Sequence, residues 1–152
     1  MTRRTYLTVL TLSALAVLGP GSHAAAEERS FRLAGEGSLL FDPQQTLEGD
    51  FAAAGEATHL GHWTNTGTIA FDPIDPVTLV ASGDVTFVAA NGDELWMEFD
   101  GVLDLTTGLG TGTFVIVGGT GRFAGATGLT DLEIIQAPDG RFAFTLDGTI
   151  DY

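Results

Sequence analysis

Apolar and polar residues alternate with a period of two along almost the whole chain beyond residue 26. No stretch there carries the three-to-four-residue spacing of an amphipathic helix. Glu94–Leu105 is the cleanest run: Leu95, Met97, Phe99, Leu103 and Leu105 take one face, Glu94, Glu98, Asp100 and Asp104 the other. One buried and one wet face is the pattern of an antiparallel sheet. The same parity separates Phe31, Leu33, Leu39 and Phe41 from Arg32, Glu36 and Ser38, and Val77, Leu79, Ala81 and Val85 from Thr78, Ser82 and Asp84. Eight strands follow: 29–41, 47–54, 56–71, 77–89, 93–105, 109–117, 127–136 and 141–151. Phe41-Asp42-Pro43 and Phe71-Asp72-Pro73 each put a proline where a strand has to end. Eight short-looped strands suit an all-β fold, a single closed antiparallel β-barrel of the calycin type, which removes free edges and leaves room for one ligand.

Three glycine-ended turns set the expected register. Ala90-Asn91-Gly92, Thr106-Thr107-Gly108 and Pro138-Asp139-Gly140 each suit a three-residue hairpin loop with a left-handed last position. Pairing Ala89 with Asp93 sets Phe87 against Leu95 and Val85 against Met97, whereas a two-residue Asn-Gly turn throws Phe87 and Val85 outward. Pairing Ala137 with Arg141 sets Ile134 against Phe144 and Leu132 against Leu146. The same loop length at Thr106–Gly108 pairs Leu105 with Leu109. That register turns Thr111 and Thr113 inward and Phe114 and Ile116 outward.

Composition changes the picture in two ways. Arg3 and Arg4, the apolar run Tyr6–Leu18 and the small residues up to Ala26 read as an export signal, 1–26, of the ordinary secretory or the twin-arginine kind. Cleavage after Ala26 leaves one domain, 27–152, with no cysteine to staple it, secreted or periplasmic. All 20 acidic residues lie beyond Ala26 against four arginines (Arg29, Arg32, Arg122 and Arg141), a net charge of −16. Such a charge repels nucleic acid and anionic membranes, so neither is expected as a partner.

The strand Val115–Val117 runs into Gly118-Gly119-Thr120-Gly121-Arg122-Phe123-Ala124-Gly125-Ala126-Thr127-Gly128. As a dinucleotide fingerprint the last glycine gap is one residue too long, and a strand pattern follows where a helix is needed. Gly118, Gly119, Thr120, Gly121, Phe123, Ala126 and Gly128 instead resemble the glycine-rich turn of the allene oxide cyclase-like and dirigent-like barrels. Gly55–Gly67, GEATHLGHWTNTG, is similar to a segment found in bacterial members of that group. The resemblance implies a strand-to-strand connection at the glycine-rich turn and a trimer. It further implies, in an enzyme of the group, a barrel that steers a reactive intermediate by shape and a few polar groups.

Candidate chemistry is sparse. Parity along 56–71 sends His59, Trp63 and Asn65 to the inner side with Ile69 and Phe71, and His62 outward. His59 and His62 therefore diverge, no third His or Cys ligand stands near, and neither a metal nor a cofactor is expected. With Met97, Phe99, Thr111 and Thr113, these inner residues outline an apolar ligand site carrying a few hydrogen-bonding groups. The alternative for His59 is a buried imidazole bonded to a neighbouring strand, with Trp63 as core filler. Arg122 either grips a ligand carboxylate or pairs with an acidic neighbour. Glu94, Glu98, Asp100 and Asp104 form a solvated row rather than a catalytic pair or a calcium loop. Trp96, Val102, Phe114 and Ile116 form an outer apolar patch suited to a subunit contact. No serine stands in a nucleophile elbow. Three functions remain open: a binding module for a small, mostly apolar molecule, an isomerase or cyclase, and an assembly protein with a barrel packed solid.

Overall fold

The computed structural model describes residues 27–152, so the expected export signal lies outside the described residues. The strands are β1 (Glu28–Leu39), β2 (Glu48–Ala57), β3 (Gly61–Asp75), β4 (Thr78–Val88), β5 (Glu94–Asp104), β6 (Leu109–Gly119), β7 (Thr127–Gln136) and β8 (Arg141–Asp151). Each pairs antiparallel with the next and β8 returns to β1, closing an eight-stranded barrel without a free edge. Inward side chains from all eight strands make one core.

Two of the three glycine-ended loops have the expected length. The Ala89 N–H donates to the Asp93 carbonyl at 2.8 Å, as does that of Ala137 to Arg141. Phe87 faces Leu95, Val85 faces Met97, Ile134 faces Phe144 and Leu132 faces Leu146. The β5–β6 loop is one residue longer. Its Gly108 N–H closes on the Asp104 carbonyl at 2.8 Å, while the Asp104 carboxylate accepts from the Thr106 N–H at 2.8 Å and the Thr106 hydroxyl at 2.6 Å.

Leu103 consequently faces Gly110, and this one-residue slip reverses every side chain of β6 relative to expectation. Phe114 (6% exposed) and Ile116 (2%) point into the barrel and cannot belong to an outer patch. Thr111 and Thr113 turn outward, where the Thr113 hydroxyl donates to Asp100 Oδ1 at 3.2 Å. Leu105, expected inside, is exposed in the longer loop. The outer apolar residues are instead Val115 and Val117 of β6, Leu129 and Ile135 of β7, and Trp96 and Val102 of β5. Near the top of β6 the ladder also bulges: Met97 opposes Ile116 but Trp96 opposes Gly118, so Val117 is an extra residue.

The other correction concerns β2 and β3. Alternation does not run through from residue 56 to 71, because β2 continues to Ala57 and β3 starts at Gly61. His59 lies in the turn between them with φ of +66°, and Gly61 has the same positive φ. Left-handed backbone at both positions breaks the period-two pattern. His59 therefore leaves the barrel interior, while Trp63 and Asn65 stay inside.

Candidate functional site

The two ends of the barrel are filled differently. At the end holding the β2–β3, β4–β5 and β6–β7 turns, Phe31, Leu60, Phe87, Leu95, Phe123 and Ile150 are almost wholly buried. This closed end is packed solid. Toward the other end, the mouth, Gly101 and Gly112 face each other across β5 and β6 at inward positions and leave the wall bare. A cavity opens there. It measures about 70 Å³. That volume holds only a few waters.

Phenylalanines build the wall. Phe99 and Phe114 stack with centroids 4.8 Å apart and 16° between planes, and Phe144 continues the stack from Phe114 at 6.5 Å. Phe51 meets Phe99 and Phe142 edge-on at 5.8 and 6.1 Å. Leu39, Ile69, Ile134 and Gln136, all half-buried, stand round the opening. Among the described residues, no ionisable side chain lines the cavity.

Asn65 is the deeply buried polar residue of the wall, while Gln136 stands half-buried at the opening. Asn65 is 3% exposed, it lines the cavity, and neither its Nδ2 nor its Oδ1 has a hydrogen-bond partner. Thr130 is as deeply buried, yet its hydroxyl donates to the Phe114 carbonyl at 3.3 Å. Leaving a buried polar group unmet costs about 1–3 kcal/mol, so Asn65 is expensive to hold in an apolar chamber. The indole N–H of Trp63 is likewise buried and unmet. Trp63 itself packs between Phe87 and Phe144, its ring lying over Gly35 and Gly55, where any side chain would collide with it. It supports the chamber from below rather than lining it, and so does Met97, which sits in the packed half.

His59 stands outside this chamber. Its Nε2 lies 2.8 Å from the Ser30 carbonyl, which requires an N–H there, and its Nδ1 lies 3.0 Å from the Tyr152 hydroxyl. Tyr152 in turn packs edge-on against Phe123 at 5.1 Å, with the Arg29 guanidinium 4.5 Å above its ring. The glycine-rich connection is a strand-to-strand turn, as the resemblance implies. Gly118 and Gly119 end β6, Thr120 donor and acceptor groups join Glu94, and a single helical turn over Gly121–Phe123 drops Phe123 into the barrel end. Gly121, at φ of +56°, leaves space that a side chain would take from the Asp93 carboxylate. Gly125 has a positive φ, and Gly128 begins the pairing of β7 opposite Ile116. Arg122 pairs with Asp93 at 3.6 Å, donates to the His59 carbonyl and covers the Phe123 ring at 4.7 Å. Its charge is spent on closing that end. His62 pairs with Glu56 on the outer surface, well apart from His59 in orientation.

Of the residues expected at a ligand site, Asn65 and Phe99 thus stand at the cavity, and His59, Trp63, Met97 and Thr113 do not line it. Thr111 borders the cavity from a position whose side chain faces solvent. Sequence reasoning missed Phe51, Phe114, Phe142 and Phe144 as wall residues and missed Gly101 and Gly112 as the source of space. Glycines at inward positions of neighbouring strands were the available signal.

No protein-family model and no curated protein matches this sequence. Among solved structures, the barrel is similar to that of a pterocarpan synthase dirigent protein. The TM-score is 0.52 and the identity 14%, covering 83% of this chain and 86% of that one. At that identity the likeness is one of fold: this chain forms a dirigent-like, closed eight-stranded barrel.

Proposed function

We propose that the protein is an exported binding module that holds one small, neutral, mostly apolar molecule in the mouth half of its barrel. The observation that carries this reading is the cavity itself, about 70 Å³ of space walled by aromatic and aliphatic side chains, with half-buried residues round its opening. Its wall is aromatic and aliphatic and offers a charged guest nothing to pair with, so charge would be desolvated without compensation. Export rests on the signal read in residues 1–26.

The catalytic reading is weaker. An isomerase or cyclase that needs a side-chain acid or base finds none on the cavity wall, and His59 has both ring nitrogens engaged at the opposite end. The assembly reading keeps one specific support: Val115 and Val117 of β6 and Leu129 of β7, which faces Val115, expose an apolar patch on a very acidic protein. That patch fits a contact between copies, and light scattering of Val115→Glu/Leu129→Glu against the parent protein reads it directly.

Native mass spectrometry of protein secreted by the producing organism tests the binding reading. A small molecule should leave with the parent protein and be missing from Ala81→Leu, whose added bulk occupies the cavity. Protein that carries no molecule and takes up no added naphthalene contradicts the reading.

A further inference from the structure

Asn65 reaches the cavity from a deeply buried position, and no hydrogen-bonding group among the described residues meets it. Its cross-strand neighbours are Ala53 on β2 and Phe87 on β4, which present a methyl group and a ring. Along β3 the next inward positions are Trp63, whose only polar group is a donor, and Gly67, which has no side chain. The carboxamide therefore holds an acceptor and a donor side by side in the cavity wall, both closed to water in the empty barrel, and a guest meets them by parting the apolar side chains around them. Exchanging its oxygen and nitrogen leaves that pair intact.

We propose that Asn65 is the specificity-determining residue of the cavity and that it selects a planar, neutral ligand carrying a lactam or a cis carboxamide. The proposal rests on the binding-module reading and adds the ligand class. A lactam presents C=O and N–H side by side in the spacing of the Asn65 amide, so two near-linear hydrogen bonds form at once. A single hydroxyl oxygen cannot lie in line with both groups, since hydrogen bonds weaken steeply when bent. A carboxylate supplies acceptors only and brings a charge that the wall cannot pair. The stacked Phe99 and Phe114 and the edges of Phe51 and Phe142 favour a flat ligand body.

Three flat probes of nearly one size separate the possibilities: naphthalene, 2-naphthol and 2-quinolone, titrated into the whole exported protein and into Asn65→Leu. The parent protein should bind 2-quinolone at least about tenfold more tightly than naphthalene, with 2-naphthol between them. Asn65→Leu should bind naphthalene and lose the preference, and its melting temperature should rise because the unmet group is gone. Asn65→Val serves the same purpose should the leucine overfill the site. Equal binding of all three probes by the parent, or tightest binding of 2-naphthol, overturns the assignment of Asn65 and leaves the cavity as a binding site. No binding of any probe by the parent overturns the binding-module reading and this proposal with it.

Discussion

The closed end and the mouth of this barrel are made from the same eight alternating strands, and the loops make them different. At the closed end the turns send side chains inward: Leu60 from the β2–β3 turn and Phe123 from the glycine-rich turn are both almost fully buried. Arg122 then locks that end by reaching Asp93 and the His59 carbonyl. At the mouth the four loops are stabilised within themselves. Asp42, Asp75, Asp104 and Asp139 each accept the N–H two residues on, at 2.9, 2.8, 2.8 and 3.1 Å. Such turns need nothing from the core. Their apolar residues Leu40, Leu47, Val77 and Leu105 stay exposed and plug nothing. Alternation along strands builds the barrel wall, while the side chains of the loops decide whether an end is filled.

Single truncations should sharpen the contrast most. Phe123→Ala removes a fully buried ring from a packed end and should cost about 3–5 kcal/mol in chemical denaturation. Phe142→Ala removes a half-buried ring that already borders empty space, and should cost less than about half as much. Equal losses would erase the distinction between the ends.

Enlargement should show the same asymmetry with smaller effects. Ala126→Leu adds bulk to a site 1% exposed beneath the glycine-rich turn and should destabilise by about 1–3 kcal/mol. Ala81→Leu adds the same bulk beside the cavity and should change stability by less than about 1 kcal/mol while abolishing probe binding. The pair is read by thermal melts and one titration.

The smallest effect concerns acid. Hydrogen bonds from the Val77 N–H and the Thr78 hydroxyl hold the Asp75 carboxyl below the usual carboxylate range. Those from Thr106 do so for Asp104, and those from Arg141 for Asp139. A carboxyl whose pKa is lowered on folding stabilises the fold above the ordinary carboxylate range, and that contribution fades as pH falls through the lowered value. Amide exchange at Val77, Thr106 and Arg141 should therefore quicken, relative to the intrinsic rate, on acidification below the ordinary range. Protection that stays constant through that range contradicts the role given to these caps.

Much of the fold was legible where a wrong register had a visible cost. At β4–β5 the alternative loop expels Phe87 and Val85, so alternation alone chooses correctly, and β7–β8 behaves likewise. Strand β6 carries apolar residues on both faces, with Phe114 and Ile116 on one and Val115 and Val117 on the other. Parity is silent there, and only loop length decides. The glycine at Gly108 suggests three residues, but the Asp104 carboxylate holding Thr106 makes the loop four. His59 was misplaced for a different reason: Gly61 is the break in alternation, and a non-glycine at positive φ just before it leaves no mark in the hydrophobic pattern. Trp63, Asn65, Met97 and Phe99 were readable as inward by parity. Which of them touch empty space was not, because that depends on where glycines from different strands coincide.

Whether the mouth half receives a neutral apolar guest while the closed half excludes it is read by mapping naphthalene onto the protein's assigned backbone amide resonances. Saturable shifts should concentrate at Phe99, Gly101, Gly112, Phe114 and Phe142, with Leu60 and Phe123 unmoved. Shifts centred on Leu60 and Phe123, or none at probe saturation, would contradict that division.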